Sequence, residues 1–534
     1  MIRRPTLLLA ALLCVRIGLA DAQEPGADGW PTYNGDYSGR RFSALKQITA
    51  SNVQGLTLAW MYRIPDVQQQ RGVGEPTIKS TPLVVNGVLY FTIPDHVYAL
   101  DARSGEPIWH YAWADKGGHL VGQRGVAVYK DYVYFLAPDG WLLSLNAKDG
   151  TERWRKKVAD EKMQYFTTSA ALVVKNHVII GVGGDAMDVR AYLESRDPET
   201  GELQWRWYTT PGAKGEAGSE SWPDEESMKH GGGMTWLPGT YDPDLNLIYW
   251  GTGNPNPVYA GQGRKGSNLW TASVVALNPD TGTFVWGFQA SPHDTHDWDN
   301  VETPVLFDAT IDGRPRRLLA QASRAGYFFV LDRTNGAALV SKAFVGVNWS
   351  KGVDAKGEPI PDPAKEPTVG GSLVNTPAQG GANWFPPSYD PETRLFYVQA
   401  RRGYHVAYLY DTSPKPQGYA GGGFSLWGQS VLQALDVRTG EVRWEHPYSD
   451  TAAQVSSGIL TTAGDLLLTG STGANLVAHD PATGKILWRQ RLSRPVSNGP
   501  STWMLDGTQY LVVGAGDTLY AFTLPTLTRT PTTR

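Results

Sequence analysis

Short apolar segments, some alternating strictly with polar residues, recur along nearly the whole chain. Typical examples are STPLVVNGVLYFTI and AALVVKNHVIIGVG, each interrupted by a polar or glycine-containing dipeptide. Such segments predict β-strands joined in hairpins, because side chains alternate between the two faces of a strand. Signals for helices are few. The pattern therefore predicts an all-β protein.

One longer pattern returns with these strands: a small or apolar residue, then Asp or Asn, a turn with glycine, and a tryptophan four residues after the glycine. Six copies keep the tryptophan: ALDARSGEPIW (99–109), SLNAKDGTERW (144–154), SRDPETGELQW (195–205), ALNPDTGTFVW (276–286), ALDVRTGEVRW (434–444) and AHDPATGKILW (478–488). A seventh, VLDRTNGAALV (330–340), ends on Val340. The Asp-to-Gly piece is a hairpin turn, and we expect the tryptophan to pack between neighbouring sheets.

A unit of this kind repeated along the chain predicts a propeller of four-stranded sheets. Seven turns are one short of eight blades, but NVQGLTLAWMYRI (52–64) supplies a tryptophan strand without a turn. GTQYLVVGAGDTLYAFTL (507–524) ends the chain in two strands. We therefore expect an eight-bladed β-propeller over residues 23–526, closed by the N-terminal strand and followed by a flexible tail, 527–534.

The N-terminus has the features of an export signal. Arg3 and Arg4 precede the apolar run TLLLAALLCVRIGLA, and ADA before Gln23 fits a small-residue cleavage site. Residues 1–22 are predicted to be a signal peptide, which places the mature chain in the periplasm. A buried first helix and a lipoprotein modified at Cys14 are the alternatives.

Composition limits the chemistry. Cys14 is the single cysteine among 534 residues, so the mature chain would contain no disulfide, Cys-ligated zinc or haem attachment motif. The formal net charge is −4 without a long basic run, which argues against nucleic acid, and no second apolar stretch is long enough to span a membrane. Redox chemistry would need a bound organic cofactor or a metal with O and N ligands.

Several local motifs resemble those of the pyrroloquinoline-quinone (PQQ) dependent alcohol dehydrogenases, which include methanol dehydrogenase large subunits. They are GQRGVAVY, GGGMTW, GTGNPNP, PHDTHDWDN, SRAGYFFVLDR and GGANWFPPSYDP, and the similarity extends over nearly all of the mature chain. The resemblance implies a flat quinone on the propeller axis beside a metal ion. It also implies oxidation of an alcohol or aldehyde and, since no haem site is present, a separate electron acceptor such as a c-type cytochrome.

Eight residues match or replace cofactor contacts. Trp236 would be the stacking surface, because an indole offers a large flat contact to a tricyclic ring. Arg124 and Arg324 would meet the polar edge of PQQ, a tricarboxylate that requires cations and hydrogen-bond donors. The remaining matches, each equally compatible with an ordinary loop or core role, are Thr168, Ser169, Asn383, Trp384 and Lys79, where the family often has glutamate.

The metal set follows from the same resemblance. Asn254 matches an amide ligand, and Asp297 matches the aspartate that is both metal-proximal and the catalytic base. Asp299 matches the additional aspartate of the lanthanide-dependent branch, so Ca²⁺ or a lanthanide is implied. The usual glutamate ligand is replaced by Ala186, which leaves Asp185, and secondly Asp188, as substitutes.

Other departures and alternatives remain. Gly118 and His119 occupy the positions of the adjacent-cysteine disulfide of methanol dehydrogenases. His293 and His296 could instead form a zinc site with the aspartates, although their segment has no helical pattern, and Asp294 reads as a structural acid of that loop. The chain could also be a non-catalytic propeller that has lost its cofactor or serves as a binding scaffold.

Overall fold

The computed structural model describes residues 28–65, 77–114, 117, 122–311, 313–448 and 457–525. The predicted signal peptide, the tail 527–534, Gly118 and His119 lie outside these residues. The prediction of an all-β protein is confirmed, since a single short α-helix, α1 (Glu225–Lys229), occurs in the described ranges. The 3₁₀ turns are Val53–Gly55, Glu161–Met163, Ser219–Ser221, Gly261–Gly263 and Pro363–Lys365.

The first two strands, β1 (Phe42–Ser43) and β2 (Thr57–Arg63), belong to sheets that are completed near the other end of the chain. Consecutive antiparallel strands then build sheets 1 and 2. Sheet 1 consists of β3 (Leu83–Val85), β4 (Val88–Ile93), β5 (His96–Asp101) and β6 (Pro107–Ala112). Sheet 2 consists of β7 (Ala127–Tyr129), β8 (Tyr132–Ala137), β9 (Trp141–Asn146) and β10 (Glu152–Lys157).

Sheets 3, 4 and 5 repeat the arrangement. Sheet 3 consists of β11 (Leu172–Val174), β12 (His177–Gly181), β13 (Tyr192–Arg196) and β14 (Leu203–Tyr208). Sheet 4 consists of β15 (Thr240–Asp242), β16 (Leu247–Gly251), β17 (Ser273–Leu277) and β18 (Phe284–Gln289). Sheet 5 consists of β19 (Val305–Ile311), β20 (Arg314–Ala322), β21 (Tyr327–Asp332) and β22 (Ala338–Ala343).

A small hairpin, β23 (Ser350–Val353) and β24 (Pro359–Pro361), precedes the last three sheets. Sheet 6 contains two long strands and consists of β25 (Ser372–Val374), β26 (Ser388–Asp390), β27 (Leu395–Leu409), β28 (Gly421–Asp436) and β29 (Val442–Pro447). Sheet 7 consists of β30 (Ile459–Thr462), β31 (Leu466–Ser471), β32 (Asn475–His479), β33 (Ile486–Arg491) and β1. Sheet 8 consists of β34 (Ser501–Leu505), β35 (Thr508–Ala515), β36 (Thr518–Thr523) and β2, which runs antiparallel to β36.

Five of the six repeated tryptophans, and Trp60 of β2, pack on the turn glycine of the following sheet. A Cβ built on that glycine would lie only 2.5–2.8 Å from the indole, in the pairs Trp60–Gly105, Trp109–Gly150, Trp154–Gly201, Trp205–Gly282, Trp286–Gly336 and Trp444–Gly484. Val340 replaces tryptophan against Gly440, at 2.9 Å. The motif thus uses glycine for two reasons, the positive φ of the turn and the close approach of the ring.

The contacts between sheets 7, 8 and 1 involve the N-terminal segment. Trp488 of sheet 7 packs in one core cluster with Val53 and Leu56, which precede β2. Trp60 of β2 then packs on Gly105 of sheet 1 and donates from its indole to the Ala102 carbonyl, 3.3 Å away. The two ends of the chain are therefore held together by strand pairing and by buried aromatic contacts.

Within the described ranges, no helix is long and apolar enough to cross a membrane.

Candidate active site

A cavity of ≈ 670 Å³ opens where the segments that lead into the first strands of the sheets converge. Sheets 1 to 5 and sheet 8 each supply lining residues from such a segment, and sheet 6 supplies them from the segment between β25 and β26. These residues are Lys79, Arg124, Thr168, Trp236, Asp297, Asp299, Asn383, Trp384 and Arg494. The folding of each sheet therefore brings together residues that are far apart in the sequence, and most of the residues predicted for the site line this one cavity.

Arg124 lies close to two tryptophans at one side of the cavity. Its guanidinium carbon is 4.5 Å from the Trp384 ring and 5.3 Å from the Trp236 ring. The residue is 5% exposed, and Nε and Nη1 have no hydrogen-bond partner among the described residues. Burial lowers the pKa of Arg124 to about 10. A buried cation with unsatisfied donors, next to two flat aromatic rings, is suited to an anionic aromatic ligand.

Thr168 and Asn383 also line this cavity. Thr168 Oγ1 donates to the Trp236 carbonyl at 3.2 Å, and the Asn383 amide donates to the Gln379 carbonyl at 2.8 Å. Ser169 does not line the cavity, because its neighbour Thr168 faces it instead. The buried Ser169 hydroxyl donates to the Ala170 carbonyl at 2.8 Å. The structure thus brings Thr168 and Asn383 to the cavity and leaves Ser169 behind it.

Arg324 joins two of the predicted aspartates. One guanidinium nitrogen donates to Asp299 Oδ2, and another lies 3.8 Å from Asp297 Oδ2. Burial raises the pKa of Asp297 to about 7, against the opposing effect of Arg324. Burial likewise raises the pKa of Asp299, although Arg324, the Asn254 backbone N–H and the Trp236 side chain lower it. Two carboxylates therefore share one arginine in a largely dehydrated place.

Asp185 lies close enough to this pair to act on it. Burial first, and then the charges of Asp299 and Asp297, raise the pKa of Asp185 well above its usual value. Its Oδ1 atom is buried without a hydrogen-bond partner in the described part of the chain. The Asn256 side chain holds the loop by donating to the Asp185 carbonyl at 3.1 Å. Three mutually repelling carboxylates form a place that a cation would stabilise.

Asn254 is fully buried and is not among the residues that line the cavity. Its backbone N–H donates to Asp299 Oδ1 at 3.1 Å, while its side-chain Oδ1 is buried with no partner among the described residues. An orphaned amide oxygen next to a carboxylate cluster has the chemistry of a ligand for a hard cation. In the described ranges, no three or more His, Cys, Asp or Glu side chains lie close enough together to coordinate one metal ion as they stand.

The two substitutes considered for the missing glutamate have different surroundings. Ala186 is exposed and carries no ligand atom. Asp188 accepts the Gly418 N–H with both oxygens, at 3.0 and 2.9 Å, and so fixes the loop before β28. Asp188 is thus committed to a structural bond, and Asp185 is the carboxylate that lies beside Asp297 and Asp299.

The segment 291–300 is a loop in the structure, as the sequence indicated. Asp294 organises it by accepting the Trp298 N–H at 3.0 Å and the His296 N–H at 3.3 Å. Asp297 has a positive φ of 63°, a strained conformation for a residue with a side chain. The loop therefore holds Asp297 in a backbone conformation that turns it toward the cavity, where a quarter of its side chain is exposed.

The two histidines of this loop point to different backbone carbonyls. His293 Nδ1 bonds to the Gly266 carbonyl at 2.8 Å, and His296 Nε2 bonds to the Lys365 carbonyl at 3.0 Å. Burial lowers the pKa of each ring to about 4. Because the two rings bond to different carbonyls, they do not point at a common position where a zinc ion could bind.

Among the lining residues that were not predicted from the sequence, two are ionisable. Arg494 carries a cation at the cavity edge, and Tyr419 lies near the carboxylates, which together with burial raise the pKa of its phenol. Tyr419 stands alone in the glycine-rich segment QGYAGGG, a signal that could have identified it. Arg494 lies in SRPVS, which has no feature that distinguishes it from a surface turn.

Comparison with known proteins gives the same picture. The family model for the glucose/ethanol/alcohol dehydrogenase β-propeller domain matches residues 30–351, and the model for outer membrane protein assembly factor BamB matches residues 428–530. Quinohemoprotein alcohol dehydrogenase ADH-IIG of Pseudomonas putida is 37% identical over 94% of this chain and 74% of its own. The quinoprotein alcohol dehydrogenase PedH of the same species is 35% identical over 90% and 84% of the two chains. A third relative, from Thauera butanivorans, is named 1-butanol dehydrogenase (cytochrome c) and is 34% identical over 94% and 77%.

Solved structures agree with these relatives. The structure of ADH-IIG from Pseudomonas putida HK5 superposes with a TM-score of 0.84 at 33% identity, over 95% of this chain and 82% of that one. A europium-containing methanol dehydrogenase superposes with a TM-score of 0.84 at 28% identity, over 94% and 99% of the two chains. The cavity, its cations and its carboxylates thus lie in a fold that these enzymes share, and the chain belongs to the family of PQQ-dependent alcohol dehydrogenases.

Proposed function

We propose that this chain is a PQQ-dependent dehydrogenase that oxidises an alcohol or aldehyde in the cavity described above. One observation carries the proposal: a single cavity contains an unsatisfied, buried Arg124 beside two tryptophans and a cluster of aspartates around Arg324. A scaffold protein has no need for buried charges that repel each other or lack partners. A tricarboxylate cofactor with a metal ion would satisfy both groups at once.

The aromatic and cationic residues would hold the cofactor. Trp236 and Trp384 offer flat surfaces, and the free donors of Arg124 point to a carboxylate as their partner. Arg324, which contacts both Asp297 and Asp299, would add a further positive charge for the cofactor. Lys79, Thr168 and Asn383, which also line the cavity, would make further polar contacts with the cofactor.

Four oxygen-bearing residues would hold the metal: Asn254, Asp297, Asp299 and Asp185. The fit rests on the orphaned Oδ1 atoms of Asn254 and Asp185 and on the raised pKa values of the aspartates, which a cation would lower. Asp299 adds a carboxylate that favours a trivalent lanthanide over Ca²⁺. When bound, PQQ with its metal supplies the hydride acceptor and the Lewis acid.

Asp297 would act as the base. Its carboxylate opens onto the cavity, and the neighbouring Arg324 and the bound cation would keep it ionised and able to accept a proton. The hydroxyl proton of the substrate would pass to Asp297 as the carbinol hydrogen leaves as hydride. Arg324, 3.8 Å away, would stabilise the charged form of Asp297 before the transfer and orient its carboxylate.

The fold supports a closed ring as the frame of this site. We infer that the eight sheets are eight blades, with β2 completing the last one and residues 23–526 forming one propeller domain. The pairing of β2 with β36, and the packing of Trp60 on sheet 1, support this inference. A ring held at both ends of the chain would keep the converging segments, and hence the cavity, in a fixed arrangement.

The sequence and one relative support a location and an electron acceptor for the chain. We infer export to the periplasm through residues 1–22, and transfer of electrons to a separate acceptor such as a c-type cytochrome. The name of the Thauera butanivorans relative, which mentions cytochrome c, supports such a partner. The sequence itself has no C-x-x-C-H motif for a covalent haem.

PQQ binding tests the proposal directly. The purified mature chain is titrated with PQQ in the presence of Ca²⁺, La³⁺ or a chelator, and tryptophan fluorescence and quinone absorbance report binding. We expect tight binding with at least one of the metals, followed by dye-linked oxidation of alcohols. Absence of binding under all three conditions would refute the cofactor, and with it the enzyme.

A further inference from the structure

The cavity lining carries more positive than negative charge. In the described part of the chain, three carboxylates and four cations line it, so a fully ionised lining has a net charge of +1 before any metal is added. Arg324 is engaged with Asp297 and Asp299. The other three cations, Lys79, Arg124 and Arg494, come from segments leading into sheets 1, 2 and 8.

Lys79 and Arg124 share the space over one glycine. A Cβ built on Gly122 would lie 2.7 Å from Cδ of Lys79 and 3.1 Å from Nη1 of Arg124. Gly122 has a φ of 146°, so a side chain there would be strained as well as obstructed. Burial and then the charge of Arg124 lower the pKa of Lys79, in keeping with the closeness of the two side chains over Gly122.

Arg494 also lines this cavity, and the base of its side chain packs beside the segment that carries Lys79. Its Cγ lies against Gly516, 2.8 Å from where a Cβ of that glycine would stand. The Gly516 carbonyl accepts the Ile78 N–H at 2.8 Å, which places it directly before Lys79. Arg494, Gly516, Lys79 and Gly122 thus form a continuous set of neighbours that ends at Arg124.

One arginine is not enough to bind all the carboxylates of PQQ. A guanidinium binds one carboxylate with a pair of parallel hydrogen bonds, whereas PQQ carries three carboxylates. Lys79 and Arg494 line the same cavity as Arg124 and add positive charge for another carboxylate. Because these cations are side chains of the protein, their attraction for the ligand does not depend on a metal at the aspartates.

We propose that Lys79 and Arg494 form, with Arg124, a cationic subsite for the carboxylates of PQQ that keeps the cofactor bound in the absence of metal. The proposal rests on the proposed function, since it assumes PQQ as the ligand. It adds Arg494 as a cofactor-positioning residue and gives Lys79 a specific role. It also separates two tasks: the cations retain the cofactor, and the aspartates hold the metal for chemistry.

PQQ titrations in EDTA at low salt test the subsite, with quenching of tryptophan fluorescence as the readout. The variants are Lys79→Gln, Arg494→Gln and the double substitution. Arg491→Gln is the matched control, an exposed arginine at the end of β33 that does not line the cavity. We expect wild-type binding in EDTA, a Kd raised roughly fivefold by each single variant, and a Kd within about twofold of wild type for the control.

Two further readouts distinguish charge from structure. The slope of log Kd against log salt concentration should be shallower in the variants, since fewer ionic contacts remain to be screened. Phenanthrenequinone, a flat tricyclic quinone without carboxylates, should show no difference between wild type and variants. Thermal unfolding of each variant checks that the fold is intact.

The outcomes separate this inference from the proposed function. Wild-type binding that requires Ca²⁺ or La³⁺ and disappears in EDTA would overturn the subsite and leave the enzyme standing. Variants that bind PQQ in EDTA as well as wild type does would also overturn it. No binding in any condition would refute the proposed function itself.

Discussion

Trp109 packs flat on Gly150, the turn glycine of the next sheet. A Cβ built on Gly150 would lie 2.6 Å from Cε3 of the indole, and Gly150 has a φ of 73°. The indole nitrogen donates to the Ala147 carbonyl of the same turn at 2.9 Å. One aromatic side chain thus fixes both the distance and the orientation between two sheets.

Gly150→Ala is expected to destabilise the protein by about 3 kcal/mol, because it combines left-handed strain with a clash against a buried ring. Gly507→Ala is the matched control, since Gly507 has a φ of 74° but no atom within 4 Å of its built Cβ. That variant should cost only the strain, about 1 kcal/mol. Chemical denaturation measures both, and equal losses would mean that the tryptophan contact is not tight.

The Asp297→Asn substitution is expected to lower kcat by roughly 100- to 10,000-fold, because an amide cannot accept the hydroxyl proton of the substrate. PQQ binding should remain, since Arg124, Trp236 and Trp384 are untouched. Steady-state oxidation of an alcohol gives kcat, and quinone absorbance of the same sample gives cofactor content. A variant that keeps both its cofactor and its kcat would remove Asp297 from the role of base.

Asp299→Ala should weaken binding of La³⁺ more than binding of Ca²⁺, because a trivalent ion gains more from the additional carboxylate. The loss also leaves Arg324 with Asp297 as its remaining acidic contact within 4 Å in the described ranges. Calorimetric titration of each ion into the PQQ-loaded protein measures the two affinities. Equal weakening of both would make Asp299 a partner of Arg324 rather than a selector of the metal.

The sequence predicted the fold better than the exact site. Each Asp-to-Gly turn is local, and its tryptophan binds the next turn of the same kind, so the repeat was visible without a structure. Even Val340 was identified as the degenerate position, and it packs on Gly440. The long strands β27 and β28 were not predicted; β28, for example, begins in the glycine-rich run GGGFSLWG, which has no apolar alternation.

The cavity depends on contacts between distant segments, which sequence patterns do not record. The engagement of Asp188 with Gly418 joins loops 230 residues apart, and no local feature distinguished it from Asp185 as a ligand. Ser169 and Thr168 were equivalent in the sequence, but in the folded loop before β11 only Thr168 lines the cavity. Arg494 lies near Lys79 only because sheets 8 and 1 are neighbours.

His479 makes stability depend on pH. The ring is fully buried, its Nδ1 bonds to the Gly484 carbonyl at 2.9 Å, and its Nε2 has no partner within the described ranges. Burial lowers its pKa to about 4. Unfolding restores the ordinary pKa of about 6.5, so the unfolded chain takes up a proton that the folded chain refuses.

The contribution of His479 to stability is therefore full above about pH 6.5 and is lost as the pH falls toward 4, by up to about 3 kcal/mol. His479→Gln keeps a donor for the Gly484 carbonyl but removes the titrating ring. The stability advantage of wild type over this variant should shrink between about pH 7 and pH 4, as measured by urea unfolding across that range. If the stability of the two proteins changes with pH in the same way, His479 must take up its proton in the folded state as readily as in the unfolded state. A difference between the two pH profiles arises only when the folded ring has a lower pKa than the unfolded one.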